Sequence, residues 1–168
     1  MQYEAILAPL DGFADTWQRF VEDGGRGGNV TVPFKEQAFD LCQQLSVRAA
    51  QAGAVNTLYV NEQGELCGDN TDGIGLVADL LRLDALLDGA NVLVLGAGGA
   101  SRGVIGPLLD AGVATIHIAN RTEEKAKLIA AMFDTRVSSS AYADIPKQRW
   151  HIIINATSSG LSAERPPL

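Results

Sequence analysis

The sequence has too few basic residues for a nucleic-acid binder. Thirteen Lys and Arg stand against twenty Asp and Glu, giving the 168-residue chain a formal net charge of −7. Nucleic-acid affinity rests largely on Lys and Arg neutralising phosphates, so this balance argues against that class. No apolar run approaches the ~20 residues that a helix needs to cross a bilayer. Glu4 follows Met1 closely with no basic stretch, so no secretory signal is expected. Cysteine is scarce. Cys42 and Cys67 lie far apart and form no Cys-x-x-Cys. They suggest neither a disulfide framework nor a zinc site, and they fit a reducing, cytoplasmic setting. His117 and His151 each lie in or beside an apolar stretch with no second ligand at metal spacing. Each is therefore expected in the core or at the surface, and no metal is expected. There is no internal repeat and no low-complexity tract. What remains is ordinary for a globular chain: 46% of residues are hydrophobic and 20% charged. The length suits one domain or two incomplete ones.

The first half alternates short elements. The spacing of Phe13, Trp17, Phe20 and Val21 predicts a helix over Asp11–Val21, ended by Gly24 and Gly25. Asn29–Val32 is expected as a short strand stopped by Pro33. One helix is expected from about Lys35 to Ala52, with Ala38, Leu41, Cys42, Leu45, Ala49 and Ala52 on its apolar face. Gly53 suits the left-handed residue past its end. Val55–Val60 and Glu65–Gly68 read as strands joined by an Asn61–Gly64 turn. Thr71–Gly73 opens a helix to about Leu83.

The second half changes character. Asn91–Leu95 is a continuous apolar strand, as expected when a parallel sheet buries both faces. A glycine loop and a helix to about Asp110 follow, and Pro107 is expected to kink or distort that helix. Ala114–Ala119 is the next strand, Glu123–Met132 the next helix and Trp150–Asn155 a third strand. Strand-helix-strand-helix-strand is the mononucleotide-binding half of a doubly wound α/β fold. The boundary between the two regions is expected between Asp72 and Asp88.

The loop Gly96-Ala97-Gly98-Gly99-Ala100-Ser101 follows a strand and opens a helix, the context in which such a match indicates dinucleotide binding. Gly96 permits the tight turn. Gly98 lets the backbone approach a pyrophosphate, which then lies on the helix N-terminus. Ser101 replaces the usual third glycine or alanine but is small enough for close packing. At the end of the second strand an NAD enzyme usually places Asp or Glu. Here the residues are Asn120, Arg121 and Thr122, with Lys125 one turn on. A guanidinium and a hydroxyl can hold a ribose 2′-phosphate that a carboxylate would repel, so NADP is expected over NAD. Arg121, Lys125 and Lys127 form a local basic cluster that reconciles an acidic chain with an anionic ligand, although Glu123 and Glu124 nearby weaken it. Ala156, Thr157 and Ser158 follow the third strand, whose carboxyl end lines the ligand crevice.

Two upstream residues suit ketone reduction. Lys35 follows Pro33-Phe34 at a strand end, where an ammonium aimed into a cleft can stabilise an alkoxide and release a proton. Asp72, at the opening of another element, could hold that ammonium and accept a bond from an adjacent substrate hydroxyl. A surface lysine and a helix-capping aspartate are the plainer readings of the same residues.

Six segments in order carry a resemblance: Asn29-Val-Thr-Val-Pro-Phe-Lys-Glu36, Ala52-Gly-Ala-Val-Asn-Thr57, Gly68-Asp-Asn-Thr-Asp-Gly73, Gly96–Gly103, Asn120-Arg-Thr122 and Ile154–Gly160. Together they resemble the shikimate dehydrogenase family. The resemblance implies an N-terminal α/β substrate domain over residues 1–75 and a Rossmann-type NADP-binding domain over residues 76–168, both partial. It implies reversible NADPH-dependent reduction of 3-dehydroshikimate to shikimate, with Lys35 as acid–base and Asp72 as its partner. Thr31 and Asn56 would bond the ring hydroxyls, and Asn120-Arg121-Thr122 the adenosine phosphate. The family pattern also has an N-terminal strand with a Ser-x-Ser segment, and further strands and terminal helices, so the chain is expected to be a fragment of it. Two other readings stand: the same chemistry on quinate with NAD, and a nucleotide-binding module without catalysis.

Overall fold

The structure, a computed structural model, describes residues 2–157. Its first half is a four-stranded sheet flanked by short helices. Helix α1 (Phe13–Glu22) and strand β1 (Gly27–Asn29) lead into α2 (Lys35–Leu41), β2 (Gln44–Leu45) and α3 (Val47–Ala52). The hairpin β3 (Thr57–Val60) and β4 (Leu66–Asp69) follows, then α4 (Asp72–Arg82). The strand order is β1-β3-β4-β2, antiparallel except for the β2–β4 pair. Asn61 makes the hairpin turn by accepting the N–H groups of Gln63 and Glu65 on its side-chain oxygen. The apolar stripe of α1 points inward, where Phe13 stacks on Phe34 at 5.0 Å and joins Val30, Ala38, Ala49, Val55 and Leu58 in one core.

Two expectations in this half need correction. The strand expected over Asn29–Val32 lies earlier, at Gly27–Asn29. Gly27 makes this possible, because any Cβ there would lie 2.9 Å from the Leu58 carbonyl oxygen. Val30 still donates to Asn56, but the chain then turns, with the Phe34 N–H on the Thr31 carbonyl. The single helix expected over Lys35–Ala52 is two helices and a strand. Cys42 is extended, so the chain leaves the helix and pairs Gln44 and Leu45 with Cys67 and Gly68. Ser46 then caps α3 by accepting the Ala49 N–H at 3.2 Å. An apolar face that continues across the break hid it from periodicity. Gly53 ends α3 in the left-handed region as expected, with φ +58°.

The second half is a parallel sheet. Strands β5 (Asn91–Leu95), β6 (Thr115–Asn120), β7 (Val137–Ala141) and β8 (Ile152–Asn155) lie in the order β7-β6-β5-β8. Helices α5 (Gly99–Asp110) and α6 (Glu123–Ala130) make the crossovers, and with α4 they cover one face. Val92, Val94, Ile105, Leu108, Ile116, Ile118 and Ile129 pack there. A smaller cluster of Leu93, Leu95 and Ala119 on the other face is covered by Tyr142, Ile145 and Trp150. Strand β7 was not expected, because Val-Ser-Ser-Ser-Ala carries almost no apolar signal. Its serines answer a buried histidine. Ser140 donates to the Ala141 carbonyl, so it must accept from His117 Nε2–H, and His117 Nδ1 accepts from Ser138. Burial holds His117 below its usual pKa, in the neutral form. Cys42 is equally inert: burial first, and then Cys67, pushes its thiol up to about 11.

Asp69 ties β2 and α3 to β4. Its carboxylate accepts from Ser46 Oγ at 2.6 Å, from the Arg48 guanidinium and from the Asn70 N–H at 2.7 Å. Burial opposes its ionisation, but these donors prevail and hold its carboxyl below the usual carboxylate range. A depressed carboxyl stabilises the fold fully above the unfolded value of about 4 and loses that contribution as pH falls through its folded value. Thermal midpoints followed below pH ~4 should therefore fall more steeply for the unsubstituted chain than for Asp69→Asn.

Candidate active site

Three helices begin at one place. Helix α2 starts with Lys35, α4 with Asp72 and α5 with Gly99. Lys35 leaves the Thr31–Phe34 turn, and its carbonyl accepts the Val55 N–H at 2.9 Å, fixing the start of α2 to the segment before β3. Its ammonium meets Asp72 Oδ2 at 2.5 Å, with the two side chains 12% and 28% exposed. The other carboxylate oxygen accepts from Asn56 Nδ2 at 2.7 Å. Asn56 also donates to Thr71 Oγ1, while its own oxygen accepts the Thr71 N–H and the Thr57 hydroxyl. Its amide is thus fully engaged, and it orients Asp72 as the pair now stands. Thr31 is exposed on the turn before Lys35, and its side chain has no part in this network among the described residues.

The pair has capacity left. An ammonium has three N–H donors and a carboxylate about four acceptor positions. Lys35 gives one donor to Asp72, leaving donors for an oxygen that gains negative charge and acceptor positions for a neighbouring hydroxyl. An opposite charge held in place keeps the amine aimed.

The glycine loop lies directly beside this pair. A Cβ at Gly99 would be 3.2 Å from Lys35 Cβ, so the first turn of α5 rests on the lysine stem. Gly96 has φ +103°, and a Cβ there would meet the Ala156–Thr157 peptide at 3.0–3.1 Å. The loop and the end of β8 therefore converge. Over Gly98 a Cβ would meet nothing within 4 Å, which leaves the backbone open to a bound group such as a pyrophosphate. Ala97 and Ala100 are half-buried at its rim. Ser101 is fully buried and donates to the Gly96 carbonyl at 2.7 Å, so it shapes the loop from within. Thr157 turns its hydroxyl onto Asn155, and Ser158 lies outside the described residues.

At the end of β6, Asn120 bonds the Thr122 carbonyl and steadies the turn into α6. Arg121 and Lys125 are exposed, and neither forms a salt bridge among the described residues. The basic cluster is smaller than expected, because Lys127 is engaged by Glu123 at 3.1 Å and Glu124 at 3.5 Å. An anion here would meet two cations rather than three. A hollow of about 180 Å³ lined by Gln44, Ser46, Tyr59, Cys67 and Asp69 lies on the β2–β4 side and holds none of these groups.

Sequence reasoning missed Thr57 and Thr71, which complete the Asn56 network, and Arg102, which reaches from α5 to Glu36 Oε1 at 3.7 Å. Threonines beside a motif carry no separate signal, and Arg102 read as part of the loop.

The family described as "Shikimate dehydrogenase substrate binding domain" matches residues 1–58, and "Shikimate / quinate 5-dehydrogenase" matches residues 80–163. The chain is 52% identical over 171 aligned positions to "Shikimate dehydrogenase (NADP(+))" of Thioalkalivibrio sulfidiphilus (strain HL-EbGR7), covering 100% of this chain and 63% of that protein. Among solved structures, an Ael1 enzyme from Pseudomonas putida superposes with a TM-score of 0.84 at 41% identity, covering 98% of this chain and 61% of that one. The shikimate dehydrogenase of Aquifex aeolicus gives 0.83 at 35% identity, covering 95% of this chain and 58% of that one. The chain thus spans roughly 60% of the length of each relative.

Gly96→Ala should destabilise the second sheet by about 1–3 kcal/mol, since alanine tolerates neither the positive φ nor the contact with the β8 end. Denaturant unfolding measures this loss.

Proposed function

The chain belongs to the shikimate dehydrogenase family, and we propose that it carries the catalytic and dinucleotide-binding parts of an NADP-linked reductase of 3-dehydroshikimate. The observation that supports this most is the Lys35–Asp72 ion pair resting against the glycine loop. A bound NADPH would supply the hydride. Gly96, Gly98 and Gly99 would hold its pyrophosphate on the α5 N-terminus, and Arg121 and Lys125 its 2′-phosphate, with Asn120 and Thr122 shaping that turn.

The chain's own residues do the rest. The Lys35 ammonium donates to the ketone oxygen, stabilises the charge that grows there and gives it a proton. Asp72 holds the amine on line and accepts from the neighbouring ring hydroxyl. Asn56 fixes the carboxylate, and Thr31, exposed beside Lys35, offers a hydroxyl to the ring. Lys35, Asp72 and Asn56 are already within contact distance, and such positioning would lower the barrier. We assign residues 1–75 to the substrate side and 76–168 to the nucleotide side. Helix α4 crosses from the end of the first region into the core of the second.

NADP-linked oxidation of shikimate by this polypeptide, followed by NADPH absorbance with quinate and NAD in parallel, tests the reading. Dinucleotide binding without turnover would leave a binding module. Lys35→Ala should lower kcat by about 10²–10⁴-fold while leaving NADP affinity nearly unchanged. Loss of one charge-assisted contact in Arg121→Ala should raise the Kd for NADP about tenfold and leave that for NAD little changed.

A further inference from the structure

One buried polar side chain near the site has no part in the chemistry just described. Asn70 is 2% exposed. Its Nδ2 donates to the Ala54 carbonyl at 2.9 Å, and its Oδ1 accepts the Asp72 N–H at 3.2 Å. Ala54 precedes Val55, whose N–H holds the Lys35 carbonyl. A single amide therefore spans the two backbone segments that carry the ion pair. Thr71, at the start of α4, makes no side-chain cap, so Asn70 serves the first N–H of that helix in its place. The third contact comes from the nucleotide side. A Cβ at Gly103 of α5 would lie 2.7 Å from Asn70 Oδ1 and 2.9 Å from Nδ2. The backbone of α5 thus closes over the amide and leaves it one position.

We propose that Asn70 is a positioning residue: it sets the Asp72 carboxylate against Lys35, and α5 holds it in register with the glycine loop. The catalytic consequence rests on the function proposed above, whereas the geometric one does not. An amide with both ends engaged in a closed space transmits displacement. Moving α5 moves Asn70, moving Asn70 shifts the Asp72 backbone, and the carboxylate follows.

Two variants test this on the full chain. Asn70→Ala removes both bonds. Gly103→Ala keeps every group of Asn70 but pushes its amide aside, and alanine is the better helix former. Trace acetylation of Lys35 with acetic anhydride, read by peptide mass spectrometry against the exposed Lys147, reports how firmly Asp72 holds the amine. The Lys35:Lys147 ratio should rise about fivefold in both variants, as loss of one modest hydrogen bond predicts. In turnover, kcat should fall about tenfold with the NADP Kd within about twofold, a split that general loosening of the fold would not give. Circular dichroism and a cooperative melt establish folding. If Asn70→Ala does not fold, Gly103→Ala decides alone. An unchanged labelling ratio in folded variants overturns the proposal even where the chain turns over shikimate. A raised ratio without turnover in any form keeps the positioning role and removes the reductase reading.

Discussion

The site depends on how closely α5 approaches the helix starts and loop of the first region that carry Lys35 and Asp72. Three glycines make that approach possible. Gly99 meets the Lys35 stem and Gly103 the Asn70 amide, and Gly73 of α4 faces the Gly103 carbonyl and the Pro107 ring. Pro107 contributes by an absence. It has no N–H for the Gly103 carbonyl, which is left facing Gly73 across the helix contact. A Cβ at Gly73 would collide with the Gly103 carbonyl oxygen and one at Gly103 would lie 2.7 Å from Asn70 Oδ1, so either would shift the groups it meets. Charge-assisted hydrogen bonding and proton transfer need groups within about 3 Å, so even a small shift there weakens the arrangement.

The electrostatics follow from the same convergence. The chain is acidic overall, yet two helices of eight or more residues, α4 and α5, point their positive ends at the Lys35 region. Local field matters more than net charge in a cleft. The Lys35–Asp72 pair itself adds little to stability. A partly buried ion pair loses hydration and regains much of it as Coulomb attraction, so the two effects nearly cancel. Its significance is directional: Asn56 on one carboxylate oxygen and Lys35 on the other leave Asp72 one orientation.

Much of this was legible in the sequence, and the reasons differ by element. Strand β5 announced itself by five residues suited to burial on both faces, and α1 by aromatic spacing. Lys35 and Asp72 stand far apart in the chain and meet in space as expected, whereas the bond from Asn56 to that carboxylate was not foreseen. The break between α2 and α3 was hidden, because Leu45 fits a helical face as well as a strand edge. Strand β7 was hidden because its residues satisfy a buried imidazole rather than a hydrophobic core. The role of Glu123 and Glu124 was also out of reach: their position beside Arg121 was plain, but their pairing with Lys127 depends on side-chain direction around α6.

The bond from Ser101 to the Gly96 carbonyl closes the glycine loop with the protein's own atoms. A loop already held in its working shape gives up little conformational freedom when a guest arrives. Under the function proposed above, a dinucleotide would dock onto a loop whose ordering entropy was largely settled during folding.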